Sequence, residues 1–202
     1  MSDNWSSHKK SCQFFAHGAQ PYQRCTSGNL SQAFCEIRPD ITDLQLNDEI
    51  VVEVKRVSKA TTGGRRMRFR CIVVVGDGNG HVGIGYGRAN EVAAAVNKAK
   101  DSAKKQIFKT PIIKGTIPHR VDIKYGSVKL MLKPASEGTG VIAGGSVRAI
   151  LEQVGIKNIL TKLTGSTSPI NVVKAVESGL KELRDPLMVS KRRGITMKEL
   201  FN

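Results

Sequence analysis

Residues 65–87 read RRMRFRCIVVVGDGNGHVGIGYG, and their reading decides the first half of the fold. From Arg65 to Val75 the residues alternate as in a strand. Met67, Phe69, Cys71, Val73 and Val75 fall on one side; Arg66, Arg68 and Arg70 fall on the other, until Ile72 and Val74 make that side apolar too. Gly76-Asp77-Gly78-Asn79-Gly80 then supplies residues that tolerate positive φ in a tight turn, and His81 to Gly87 alternates as the next strand. Upstream, Ile50 to Ser58 is β-branched and reads as a strand, followed by a loop over Lys59 to Gly64. Downstream, Asn90 is placed to cap a helix running to about Gln106, in which Val92, Val96, Ala99 and Ala103 recur at helical spacing. The expected unit is β-β-β-α, an antiparallel meander with the helix on one face. The other face is expected to stay free, with arginines on part of it.

Gly78 to Gly83 also matches GxGxxG. A dinucleotide site needs a helix directly after that motif, so that its N-terminus receives the pyrophosphate. Here a strand follows, and the only acid about 20 residues on, Asp101, falls within the lysine-rich helix. The glycines fit a hairpin and a small-residue strand open to close packing.

Thr110-Pro111 marks a boundary. Beyond it Ile117, Val121, Ile123 and Tyr125 alternate with polar residues, Gly126-Ser127 turns the chain, and Val128, Leu130 and Leu132 alternate back as a hairpin. The glycine-rich run Glu137 to Ser146 leads to a helix capped by Ser146 and ending at Gly155. It lacks GK[ST] and is not a phosphate loop of that class; an RNA phosphate, a protein neighbour and a plain turn remain open for it. Ile156 to Leu163 reads as a short strand, and Ser168-Pro169 starts a last helix burying Val172, Val173, Val176, Leu180 and Leu183. The basic tail after Pro186 is expected to be only partly ordered.

Charge narrows the function. The 202 residues carry 32 Lys+Arg against 17 Asp+Glu, a net +15, with no apolar run long enough to span a membrane. Residues 1–46 hold four of each sign and are neutral, so the whole excess lies in 47–202, pointing to a polyanionic partner. It is densest from Lys55 to Arg70, with seven Lys/Arg and no acid. Guanidinium forks match phosphate oxygens, and Gly63-Gly64 allows a loop tip to approach a nucleic-acid backbone. Residues 1–46 are rich in Ser, Gln and Asn, and read as a mostly disordered extension without a secretory signal. Zinc held by Cys12, Cys25 and Cys35 with His8 or His17 is conceivable but lacks a CxxC pair, so no metal or other cofactor is expected. His8, His17, His81 and His119 are scattered, and no catalytic constellation is seen. With six Phe, three Tyr and one Trp, base stacking on an aromatic platform is unsupported, and recognition should run through backbone charge and shape. Two other readings stay open: a free-standing double-stranded-RNA binder, and an enzyme using the glycine loops for a nucleotide.

Val57-Ser58-Lys59 through Gly63-Gly64-Arg65, residues 74–87, Pro134 to Gly140 with Ala143-Gly144-Gly145, and Gly165 to Val173 occur in an order in which the chain resembles the bacterial type of the S5 family of small-subunit ribosomal proteins. The likeness covers about Leu46 to Gly194. It implies an α+β fold: a β-β-β-α domain similar to a double-stranded-RNA-binding fold without its first helix, then an α/β sandwich domain with a left-handed βαβ crossover. The division expected is an extension over 1–46, an RNA-binding domain over 47–111, an α/β domain over 112–185 and a basic tail over 186–202. The resemblance implies a non-enzymatic component of the small ribosomal subunit, in the cytoplasm rather than an organelle and not on a membrane, contributing to subunit assembly. Its implied partners are ribosomal RNA, ribosomal proteins S4 and S8, and messenger RNA where it enters the subunit. RNA contact is expected from Lys55, Arg56, Ser58, Lys59, Gly63, Gly64, Arg65, Arg66, Arg68 and Arg70. Gly140 and Arg148 are expected at a protein contact that influences decoding accuracy.

Overall fold

Residues 49–201 are described by a computed structural model of the chain. The expected disordered extension and the conceivable zinc ligands Cys12, Cys25, Cys35, His8 and His17 lie outside the described residues. The first sheet has the order β1-β2-β3-β4, all antiparallel: β1 (Ile50–Thr61), β2 (Gly64–Gly76), β3 (His81–Ala89) and β4 (Ile107–Lys109). The three-residue β4, which extends the expected meander, is too short for a periodicity to reveal. Most of the expected loop over Lys59 to Gly64 is strand, because the ladder continues to Thr61↔Gly64 and leaves only Thr62 and Gly63 to turn the chain. The Thr61 hydroxyl donates to the Gly64 carbonyl (2.9 Å), and Gly64 has φ +134°, a conformation L side chains rarely adopt.

Helix α1 (Val92–Lys105) covers one face of this sheet through Ala95, Ala99 and Ala103. Its N-cap is Glu91, not Asn90, and Val92 stands 41% exposed, so the buried stripe is alanine at i, i+4, i+8 and not the valine-led stripe expected from spacing. Opposite the stripe lie Gly83, Gly85 and Gly87 of β3. A Cβ on Gly85 would sit 1.9 Å from the Ala99 carbonyl oxygen, and one on Gly87 1.9 Å from that of Ala95. Helix backbone rests directly on strand backbone, which only glycine permits.

The second sheet has the order β5-β6-β8-β7: β5 (Val121–Tyr125), β6 (Val128–Pro134), β7 (Val141–Ile142) and β8 (Ile159–Gly165). Its neighbours are antiparallel except β7 and β8, which run parallel and are joined through helix α2 (Gly145–Val154). Gly144, not Ser146, is the α2 N-cap, and Gly155 ends the helix in the left-handed conformation. Helix α3 (Pro169–Glu182) starts with Ser168 at the N-cap and proline in its first turn, and packs on β5, β6 and α2. Where a partly ordered tail was expected, α4 (Pro186–Arg193) and α5 (Met197–Phe201) follow, α4 being capped by the Asp185 carboxylate, which accepts from the Leu187 N–H (3.1 Å).

The face of the first sheet expected to be free is half covered. Ile72, Val74, Val82 and Ile84 join Val147, Ile150, Leu151 and Val154 of α2 in one apolar core, and α2 contacts β1, β2 and β3. The β2–β3 turn fastens this packing. The Gly78 N–H donates to the Gln153 carbonyl (3.1 Å) and the Gly80 N–H to the Val154 carbonyl (2.9 Å), pairing carbonyls that a helix end leaves without intrahelical partners. Asp77 shapes the turn by accepting from the Asn79 and His81 N–H groups (2.8 and 3.0 Å) and contacting the His81 ring (2.7 Å). Burial pushes the Asp77 carboxyl pKa up, but these donors outweigh it and hold it below the ordinary value.

Gly85→Ala should lower unfolding stability by about 1–3 kcal/mol or more, since the strand must move off α1. Gly63→Ala, which meets open space, should stay within about 0.5 kcal/mol of the parent. Urea unfolding of the two variants checks this; equal midpoints would contradict the close strand–helix packing.

Candidate nucleic-acid interface

Pairing between β1 and β2 sorts the basic residues by face, because residues directly opposite in an antiparallel ladder share a side. Lys55 lies opposite Arg70, Val57 opposite Arg68 and Lys59 opposite Arg66. Lys55, Lys59, Arg66, Arg68 and Arg70 therefore share the face that becomes apolar at Ile72. Arg56, opposite Phe69, Ser58, opposite Met67, and Arg65, opposite Ala60, belong to the other face, beside the exposed Val54 and Met67. The ten residues expected to contact RNA are thus split between two faces and a turn. Five form one side, three the reverse side, and Gly63 and Gly64 the tip.

Register adds a residue that the strand pattern alone did not single out. Arg88 of β3 lies opposite Arg70, so Lys55, Arg70 and Arg88 form a row of three cations across three strands. Arg88 also lines a shallow cleft with Arg68, Asn90 and Glu91. The available signal was its place two residues beyond Tyr86, on the same side of an alternating strand.

Like charges directly opposite each other destabilise a sheet by up to about 1 kcal/mol per pair. Among the described residues none of these cations has an acidic partner; the ion pairs are elsewhere, as at Lys100–Glu49 and Lys181–Glu177. Glu53 and Glu91 stand at the border of the patch, and neither is paired with it. Lys55, Lys59, Arg66 and Arg68 are exposed and Arg70 half-buried, so the row runs from open solvent to the edge of the core. Phosphate oxygens can meet such a row, and the buried Cys71 to Val75 anchor β2 at its inner end.

Gly140 immediately precedes β7, and Arg148 is the fourth residue of α2. Gly140 has φ +76°; its N–H donates to Asn158 Oδ1 (3.1 Å) and its carbonyl accepts from the Ile159 N–H (3.1 Å). Arg148 is exposed on α2 and bonds Glu152 one turn on (2.8 Å). His81 serves the β2–β3 turn, and among the described residues no cluster of three or more His, Cys, Asp or Glu could hold a metal. Also among them, no helix is long and apolar enough to cross a membrane.

The profile of Ribosomal protein S5, N-terminal domain, matches residues 47–111, and that of Ribosomal protein S5, C-terminal domain, residues 123–193. The chain is 54% identical over 159 residues to small ribosomal subunit protein uS5 of Syntrophobacter fumaroxidans, covering 79% of this chain and 95% of that one. It is 49% identical over 154 residues to uS5 of Thermotoga maritima, covering 76% and 86%. Against uS5 of Bacteroides thetaiotaomicron it is 48% identical over 159 residues, covering 79% and 92%.

Arg68→Gln and Arg88→Gln should each make the salt dependence of RNA binding shallower by about one in the slope of log Kobs against log[salt]. Each should weaken affinity alike across RNA sequences, because phosphate contacts carry little sequence information. Titrations of two unrelated folded RNAs at several salt concentrations check this, and a loss confined to one of them would contradict it.

Proposed function

The chain belongs to the ribosomal protein S5 family, and from that membership we propose that it binds small-subunit ribosomal RNA through the basic face of its β1–β2 hairpin. It is a structural, non-enzymatic constituent of the small subunit of the cytoplasmic ribosome. The observation that carries the RNA reading is the set of opposed cations: Lys55 against Arg70 against Arg88, and Lys59 against Arg66. Each such pair is unfavourable in the free protein and becomes favourable when a row of phosphates lies over it. A polyanion therefore gives these residues a role that a solvated strand face, with its mixed signs, would not.

We assign RNA binding to 47–111 and mainly protein contacts to the α/β domain over 112–185, with 186–202 as a basic tail. The proposed neighbours are ribosomal proteins S4 and S8 and the messenger where it enters the subunit. Subunit assembly follows from holding folded RNA on a rigid sheet. A role in decoding accuracy is placed at Gly140 and Arg148. Gly140 is fixed at both its N–H and its carbonyl, so a neighbouring protein would meet an unyielding loop, and Arg148 offers that neighbour a guanidinium bonded, among the described residues, to exposed Glu152. An exposed pair of that kind is worth at most about 1 kcal/mol and is readily exchanged for another partner.

Sedimentation of a lysate through sucrose at low and high salt tests the assignment to the subunit. Stoichiometric co-migration with small subunits should persist at high salt, and Arg66→Gln/Arg68→Gln/Arg70→Gln should leave the subunit at lower salt than the parent. A chain that stays at the top of the gradient would be an auxiliary RNA binder. Arg148→Gln should change stop-codon readthrough in a reporter while still co-migrating; unchanged readthrough would remove the accuracy role.

A further inference from the structure

The second sheet has a face that neither α2 nor α3 covers. Helix α3 packs on β5 and β6, and Val121, Ile123, Val128, Leu130 and Leu132 on that side are buried in a core to which α2 also contributes. The opposite side carries Lys124 of β5, Lys129 and Lys133 of β6 and Lys162 of β8, all four exposed. Lys124 lies directly opposite Lys129, which puts their Cβ atoms about 4.5–5.5 Å apart. Lys129 pairs with Thr164 and Met131 with Lys162, so Lys162 is the diagonal neighbour of Lys129, and likewise of Lys133, which pairs with Leu160. Diagonal neighbours stand about 7–8 Å apart. The four lysines thus make a continuous oblique track across three strands.

We infer that this track is a second RNA-backbone surface, one that takes phosphates independently of the hairpin. Among the described residues, the acid on this face is Asp122, and Arg120 holds it at 2.9 Å, so the track keeps its full charge. None of the four lysines has an ion-pair partner among the described residues. The opposed Lys124 and Lys129 repeat the feature that marks the hairpin: like charges face to face, unfavourable until an anion lies over them. The chain's own residues 1–46 hold four acids and four bases and offer no complementary charge. A protein neighbour would need its own row of acids spaced to this sheet. A nucleic-acid strand carries regularly spaced phosphates whatever its sequence. The track rests on the reading of the chain as an RNA binder but assigns contact to the half of the molecule read mainly as a protein-contact domain.

The test uses the full chain with small-subunit ribosomal RNA, titrated at several salt concentrations. Lys124→Gln/Lys129→Gln/Lys133→Gln/Lys162→Gln should make the slope of log Kobs against log[salt] shallower by about three and weaken binding at least tenfold at moderate salt. The corresponding four Lys→Arg changes should keep both, which separates loss of charge from damage to the fold. Unchanged slope and affinity in the glutamine variant, with a loss in Arg66→Gln/Arg68→Gln, would overturn the track and leave the hairpin reading standing. No loss in either variant would overturn both. Within assembled subunits Lys129 should resist amine acylation. Protection there without any change in slope would give the face to a protein neighbour and likewise overturn the inference.

Discussion

Cys71 to Val75 are buried on both sides of the first sheet, and most of the architecture depends on that burial. Val73 and Val75 lie against the α1 alanines, while Ile72 and Val74 lie against α2 and its neighbours. A strand covered on both faces must be apolar at every position, which is why CIVVV breaks the alternation that RRMRFR begins. The same chain of residues therefore marks where the cover ends. Outward from Arg70 neither α1 nor α2 lies over the even-numbered side, and charge is tolerated there. The hairpin is an extension of a strand clamped at its inner end, so its cations are held in a fixed row without a core of their own.

That clamp unites the two halves. The glycine turn after β2 donates to the last carbonyls of α2, and Gly76 and Gly155 allow the approach: a Cβ on Gly76 would lie 2.2 Å from the Gln153 carbonyl oxygen, and one on Gly155 1.9 Å from that of Gly78. Sequence reasoning identified this turn as a hairpin connection, which it is, but a glycine chosen for a turn and a glycine chosen for contact with a distant helix look the same in sequence. The contact joins α2, which carries Arg148, to the sheet that carries the basic hairpin. Two surfaces far apart in the chain are thus parts of one packed unit, and neither can shift without disturbing the Gly78–Gln153 and Gly80–Val154 bonds.

Alternation made the strands legible, and Gly155 and Ser168-Pro169 marked the ends of helices correctly, because each rests on backbone chemistry local to a few residues. What stayed hidden depends on partners remote in sequence. β4 and β7 have three and two residues and exist only because a neighbouring strand pairs with them. The α1 stripe was displaced from Val92 to Ala95 because the facing strand is glycine, and a close approach rewards the smallest side chain over the most hydrophobic. The basic face was legible as a composition, seven cations without an acid, but not as a surface. Which cations stand together follows from register, and register removed Arg56 and Arg65 from the main face while adding Arg88.

Both sheets follow one electrostatic rule. Each buries apolar residues under helices, Val121, Ile123, Leu130 and Leu132 in the second sheet and the inner parts of β2 and β3 in the first. Each leaves cations on the remaining surface with like signs opposed across the ladder, Lys55–Arg70 in one and Lys124–Lys129 in the other. Ion pairs form at other sites, Asp122 with Arg120, Glu152 with Arg148 and Glu177 with Lys181, while Glu53 and Glu91 at the border of the hairpin do not pair with it. Placing pairs at these other sites and leaving the opposed ones bare makes the free protein less stable than its composition would allow. The bare cations of the two sheets are therefore a directional charge, and a partner of opposite sign would recover the stability forgone in the free chain.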